Sequence, residues 1–349
     1  MIAPRPTIEE ILRAVAISDN EPARQALVSL QTAPAVYIRL LSGTAAWVAA
    51  ISLIACLALA GLLQNDTKGA SLMLGLCCCL GAVGLRWVTR ESESTFFQQL
   101  ALSVSIAGQN LFFWSLWAQT NSWSSTALGG ALLQLGLLVG YPDALHRFLS
   151  ASLASLLLGV WLHHLFPVLP LHLVSVPLLA GAIALSHWEP EIEIRPWAAF
   201  RAPVAFGLIL ALFNVLIFAR WAPETQAPLL GLTTMGLCCL VGGLGWLVQR
   251  ECDISSSWVR WGLPLGLLLL GGLTWSTPGV VAALGTMILA FHRRSVLLLG
   301  LGAIFQALFL VALYYDLSLS LLLKSTVLVT SGLLLLGIRM RMLALGARP

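Results

Sequence analysis

The chain has 349 residues, of which 58% are hydrophobic and 10% charged, with a formal net charge of +4. A soluble domain carries about 25% charged residues, so the composition excludes an ordinary water-soluble domain and points to lipid as the solvent. The arginines are spread along the chain with no basic stripe, which argues against a nucleic-acid partner.

Residues 1–38 read as a small cytosolic head. Thr7 and Glu10 make a capping-box pattern behind Pro6, so a short helix is expected from Ile8, with Ile11, Leu12 and Val15 on one face. Pro4, Pro6, Pro22 and Pro34, with Glu9, Glu10, Asp19 and Glu21, break any clean apolar core. No cleaved secretory signal is therefore expected. Residues 39–341 form the transmembrane domain and 342–349 a cytosolic tail.

A spanning helix needs about 20 apolar residues. Twelve such segments follow in order: 43–63, 69–88, 97–118, 124–140, 144–165, 167–186, 202–219, 226–248, 258–275, 277–291, 294–314 and 318–338. The fourth and tenth are short, and a ten-span layout that fuses or discards one pair is the alternative. The expected fold is thus an all-α, polytopic transmembrane helix bundle.

The connectors alternate between basic and neutral. Sixteen of the 19 Lys and Arg residues fall on one side, only Lys68 and Arg220 on the other, and Lys324 inside a span. The positive-inside bias makes the rich side cytoplasmic. Both termini then lie in the cytosol of a bacterial cell, and the protein sits in the inner membrane with the lipid bilayer as its first partner. Trp87, Trp117, Trp123, Trp188, Trp197, Trp221, Trp258, Trp261 and Trp275 fall near the expected interfaces as an aromatic belt.

Cys78, Cys79, Leu80, Val88, Arg90 and Glu91 resemble Cys238, Cys239, Leu240, Val248, Arg250 and Glu251. This hints at two parallel six-helix repeats, over 43–187 and 202–338, about an axis along the membrane normal. Thiolates suit soft metals, yet neighbouring residues on a helix diverge by about 100°. Packing is the expected role of these cysteines, and no metal or cofactor is assigned. The histidines, His146, His163, His164, His172, His187 and His292, mostly lie at span ends. No haem attachment motif accompanies them. Glu189, Glu191 and Glu193 read as a solvated loop.

Lys324 is the one formally charged residue deep in a predicted span. Intramembrane ionisable groups are costly and usually face a bundle interior or a wet cavity. A lysine can also snorkel and merely fix helix depth. Asp316 lies eight residues earlier, about 12 Å along the axis, with Tyr315 beside it. Gln109, Asn110, Gln134, Asn214 and Gln306 lie within spans, where amides commonly bond across helices. Lys324, Asp316, Tyr315, Gln109, Asn110, Asn214 and Gln306 are the candidate intramembrane polar site. A solvated void among them would fit a permease; a dry centre would fit a scaffold. No Walker loop, nucleophile elbow, HExxH helix or paired-carboxylate constellation appears, so no enzymatic activity is expected.

Three stretches also carry a resemblance. Val36-Tyr37-Ile38-Arg39-Leu40-Leu41-Ser42-Gly43 leads to Ala46-Trp47. Phe97-Gln98-Gln99-Leu100-Ala101-Leu102-Ser103 runs to Ala107-Gly108-Gln109. Tyr314-Tyr315-Asp316-Leu317 is followed by Leu321-Leu322-Leu323-Lys324-Ser325 and Gly332-Leu333-Leu334-Leu335-Leu336. Together they resemble an uncharacterised bacterial multi-pass inner-membrane family, domain of unknown function 4401. The resemblance implies a bacterial inner-membrane protein with no established activity. It also implies a small membrane-anchored protein encoded nearby as a partner. Two roles follow as expectations: a transporter-like or lipid-interacting permease with a buried cationic site at Lys324, or a non-catalytic scaffold or accessory subunit for a partner membrane protein.

Overall fold

The computed structural model describes residues 68–90, 95–166, 171–187, 198–220, 227–251 and 257–316, with scattered positions between 41 and 56 and at 325 and 329. Among these, the structure is all-α, with no strand. Ten α-helices are described: α1 (Lys68–Val88), α2 (Thr95–Thr120), α3 (Trp123–Gly140), α4 (Ala144–Leu165), α5 (Ser175–His187), α6 (Ala198–Arg220), α7 (Ala227–Glu251), α8 (Ser257–Leu273), α9 (Pro278–His292) and α10 (Val296–Asp316). A 3-10 turn, Leu171–Val174, leads into α5.

Among the described residues, six helices are long and apolar enough to cross a bilayer, the qualifying stretches being Gly69–Val88, Trp123–Gly140, Ala144–Leu165, Ala198–Ala219, Leu229–Glu251 and Val296–Tyr315. Leu171–His187 and Pro278–His292 are apolar but shorter. The fourth drawn segment, expected to be marginal, is among the six. The sixth is shorter than drawn, its α-helix starting at Ser175 and not near 167. Helix α2 has 26 residues but is not among the six; Gln98, Gln99, Gln109, Asn110 and Gln119 dilute its apolar character. The first and last drawn segments, the head and the tail lie outside the described residues, apart from scattered helical positions.

Local chemistry explains where the helices start and stop. Asn121 adopts φ 48° between α2 and α3, a left-handed value that asparagine tolerates. Ser122 then caps α3 by accepting from Ser125 N at 3.4 Å. Asp143 caps α4, accepting from Leu145 N at 2.9 Å and His146 N at 3.1 Å. Between α9 and α10, Arg294 takes φ 51° while Ser295 N donates to Ala290 O at 2.9 Å and Arg294 N to Phe291 O at 3.1 Å. These bonds are a Schellman closure, which satisfies the last carbonyls of α9. Connections this short make α3 and α4, and α9 and α10, antiparallel neighbours.

The chain divides into two units, Met1–Gln119 and Thr120–Pro349. This division does not coincide with the gap between 187 and 202 drawn from the repeat. In the N-terminal unit, α1 and α2 cross at backbone contact. A side chain on Gly75 would lie 2.8 Å from both Gly108 O and Phe112 N, and one on Gly108 would lie 2.7 Å from Gly75 O. Small residues let helices approach this closely in lipid, where no hydrophobic effect drives them together. Ser71, Cys79 and Ala82 on α1 and Ala101 and Ser105 on α2 are buried along the seam.

In the C-terminal unit, α6 packs against α4, where a side chain on Gly207 would lie 2.7 Å from Ala151 Cβ. Ile209, Leu212, Phe213, Leu237, Val241, Val280 and Leu289 are at most 1% exposed and form the centre of one apolar core. The outward faces carry large apolar residues, such as Leu132, Leu232, Trp246 and Phe291. A face of this kind is at home in hydrocarbon.

Candidate functional site

Helices α5, α7 and α9 meet at a waist. A side chain on Gly285 of α9 would lie 2.5 Å from Val241 Cγ2 of α7 and 3.7 Å from Leu179 Cδ2 of α5. Leu179 and Val241 are fully buried. Among the described residues, the side chains that meet at Gly285 are apolar.

Polar groups gather beyond the waist at both ends. Eight residues C-terminal to Leu179, ten beyond Val241 and seven beyond Gly285 stand His187, Glu251 and His292. They touch: His187 Nδ1 is 3.5 Å from Glu251 Oε1, and His292 Nε2 is 3.2 Å from Glu251 Oε2. One carboxylate therefore holds two imidazoles and ties three helix ends. His187 and Glu251 are about two-fifths exposed, so solvent screens the pairing and its contribution is small. Arg293 follows directly, its guanidinium lowered from the usual value by burial.

In the other direction, seven residues before Leu179, eight before Val241 and eight before Gly285 stand His172, Thr233 and Thr277. His172 Nδ1 is 2.7 Å from Thr233 Oγ1, and both residues are at most 1% exposed. Thr234 Oγ1 donates to Leu230 O or to Trp275 O, both at 3.0 Å. The Trp275 ring lies on Gly231, where a Cβ would strike it. Ser175 stands three residues after His172; i and i+3 eclipse across a 3-10 turn. Ser175 Oγ and Thr277 Oγ1 are shut away from solvent with no hydrogen-bond partner among the described residues. Matching levels above and below the waist mean that α5, α7 and α9 run parallel and in register.

This arrangement is not the polar site drawn from the sequence. Lys324 lies outside the described residues, as does the side chain of Asp316, and Tyr315 at the end of α10 is exposed. Gln109 is buried and donates to Ser105 Oγ one turn back, at 3.1 Å. Asn110 is exposed and folds onto Ile106 O at 2.9 Å. Both residues belong to the N-terminal unit, whereas Asn214 and Gln306 belong to the C-terminal one. Asn214 and Gln306 follow Phe213 and Phe305, whose rings stack at 4.1 Å between α6 and α10. Gln306 Oε1 is closed off with no partner among the described residues. Phe309 completes this phenylalanine cluster.

Two histidines placed at span ends by the sequence prove buried. His172 is 1% exposed, as is His146, which stacks on Tyr141 at 3.9 Å and hydrogen-bonds through Nδ1 with Ser150 Oγ at 3.1 Å. Arg147 covers this end of α4, its Nε donating to Tyr141 O at 3.1 Å while the guanidinium lies 3.9 Å from the Phe200 ring centre. The cysteine runs diverge as helical geometry requires. Cys79 and Cys238 are buried, with Cys77 and Cys239 exposed. Among the described residues, no group of three His, Cys, Asp or Glu side chains has the geometry to hold a metal.

A signal for the His187–Glu251–His292 cluster was available. Each residue ends a segment that the charge alternation directs to the same face. The His172–Thr233 contact had no such signal, because it depends on the inward start of α5.

A family described as a domain of unknown function, DUF4401, matches residues 35–345. The chain belongs to this family. Its match covers every helix described above, in both units. No curated protein and no solved structure is significantly similar to the chain.

Proposed function

We propose that this is a multi-pass protein of the bacterial inner membrane, crossing twelve times with both tails in the cytosol. We further propose that it is a non-catalytic scaffold or accessory subunit for a partner membrane protein. Support for the layout comes from α5, α7 and α9, alternate helices that run parallel as an up-and-down path requires. The cluster of His187, Glu251 and His292 then marks the cytosolic end. Parallel repeats are supported by one shared detail: Cys79 and Cys238 each donate to a carbonyl of the following helix.

The observation that carries the scaffold reading is the packed apolar waist at Leu179, Val241 and Gly285, with the stacked rings of Phe213, Phe305 and Phe309 between α6 and α10. A transport path needs a solvated site between moving halves, and these side chains fill the middle of the C-terminal unit. Deletion of the protein should lower the abundance of a co-purifying membrane protein, read by quantitative proteomics of membranes. Unchanged abundance of every membrane protein would remove this reading.

One observation favours the permease reading: the buried polar layer around His172, with two unpartnered hydroxyls. Under that reading Lys324→Leu should abolish uptake of an anionic solute without changing protein level. Equal uptake in both strains would count against it.

A further inference from the structure

We infer that the buried start of α9 binds a small monovalent anion of halide size. Helix α9 has 15 residues, about 22 Å at 1.5 Å per residue, against a hydrocarbon layer of about 30 Å. With His292 at the cytosolic boundary, α9 starts inside the apolar layer. The first N–H groups of a helix have no intrahelical partner and carry the positive end of the macrodipole. Capping side chains or ligands normally satisfy them.

Here the cap fails. Thr277 occupies the N-cap position of α9 with no side-chain cap hydrogen bond, yet it is only 3% exposed. Pro278 and Gly279 behind it are buried as well. The Thr277 hydroxyl has no other partner among the described residues. A buried hydroxyl left unmade costs about 1–3 kcal/mol, so an acceptor is called for at this point. Ser175, where the 3-10 turn Leu171–Val174 runs on into α5, is fully buried as well, and its hydroxyl has no partner among the described residues.

Charge selects the occupant. No carboxylate lies on α5, α9 or the described part of α7 at this end, since Glu251 stands at the opposite one. The free Gly279 N–H at the positive end of α9 and the buried Thr277 hydroxyl favour an anion. Apolar walls, including the Phe309 ring over Gly279, restrict it to a small one. The inference stands apart from the scaffold reading: an anion held without flux leaves that role intact.

The test uses the full chain in nanodiscs, with melting followed by tryptophan fluorescence in sodium chloride against sodium gluconate of equal ionic strength. Wild type should gain stability saturably with chloride, as a ligand of the folded state does. Thr277→Val should weaken the midpoint about tenfold or more, the equivalent of one hydrogen bond to a charge, and Thr277→Ser should restore it. A flat wild-type response, or an unchanged midpoint in Thr277→Val, would overturn the inference. If Thr277→Val does not fold, anomalous scattering from bromide-soaked wild-type crystals decides. A bromide peak within hydrogen-bonding reach of Thr277 Oγ1 supports the site, and water alone there overturns it.

Discussion

In the N-terminal pair α1/α2, Cys79 Sγ reaches Ser105 O at 3.7 Å; in the C-terminal pair α7/α8, Cys238 Sγ reaches Leu267 O at 3.6 Å. The tie is the same and the spacing is not. Gly75 and Gly108 let α1 and α2 touch backbone to backbone, whereas Gly271 of α8 faces the thiol of Cys238. A thiol can rotate away from an added side chain and a carbonyl cannot. In an apolar solvent, close approach and one weak polar contact are enough to fix a pair. How much insult each pair tolerates then depends on what faces the glycine.

The largest expected effect breaks the backbone contact. Gly75→Leu should cost about 3 kcal/mol or more, at the upper end for overpacking, read as lost yield and lowered melting temperature in detergent. Gly271→Leu should cost about 1–2 kcal/mol, because Cys238 can yield. Equal losses from the two substitutions would end the distinction between the pairs.

Two smaller changes sharpen it. Cys79→Ala and Cys238→Ala should each cost about 1 kcal/mol, the price of one small buried group and its weak bond, and the same in both pairs. A loss confined to one variant would mean that the shared tie is not equivalent. Smaller still is the coupling of His172→Phe with Thr233→Val. A double-mutant cycle should give about 0.6 kcal/mol and no more than about 1.7 kcal/mol, the range for interhelical hydrogen bonds in lipid. Zero coupling would show that the 2.7 Å contact does not tie α5 to α7.

The helices were legible because hydropathy over about 20 residues depends on sequence alone. Positions 144–165 were drawn as they stand in α4. The start of α5 was not, because an apolar run continues upstream of Ser175 whether or not the backbone is helical there. The surroundings of the polar candidates were less legible for a related reason. Amides deep in a span look like partners across helices, yet Asn110 bonds one turn back along its own, and register between helices is set by packing. That register is what brings Glu251 to two histidines distant in sequence.

The account turns on α5, α7 and α9 running parallel through the bilayer, with His187, Glu251 and His292 at one face and Thr277 at the other. Single cysteines at Glu251 and at Phe166, the exposed residue ahead of α5, placed in a background without native cysteines, test this with a membrane-impermeant maleimide. Position 251 should react only in inside-out vesicles and position 166 only in right-side-out spheroplasts. Labelling of both positions from the same side would contradict it.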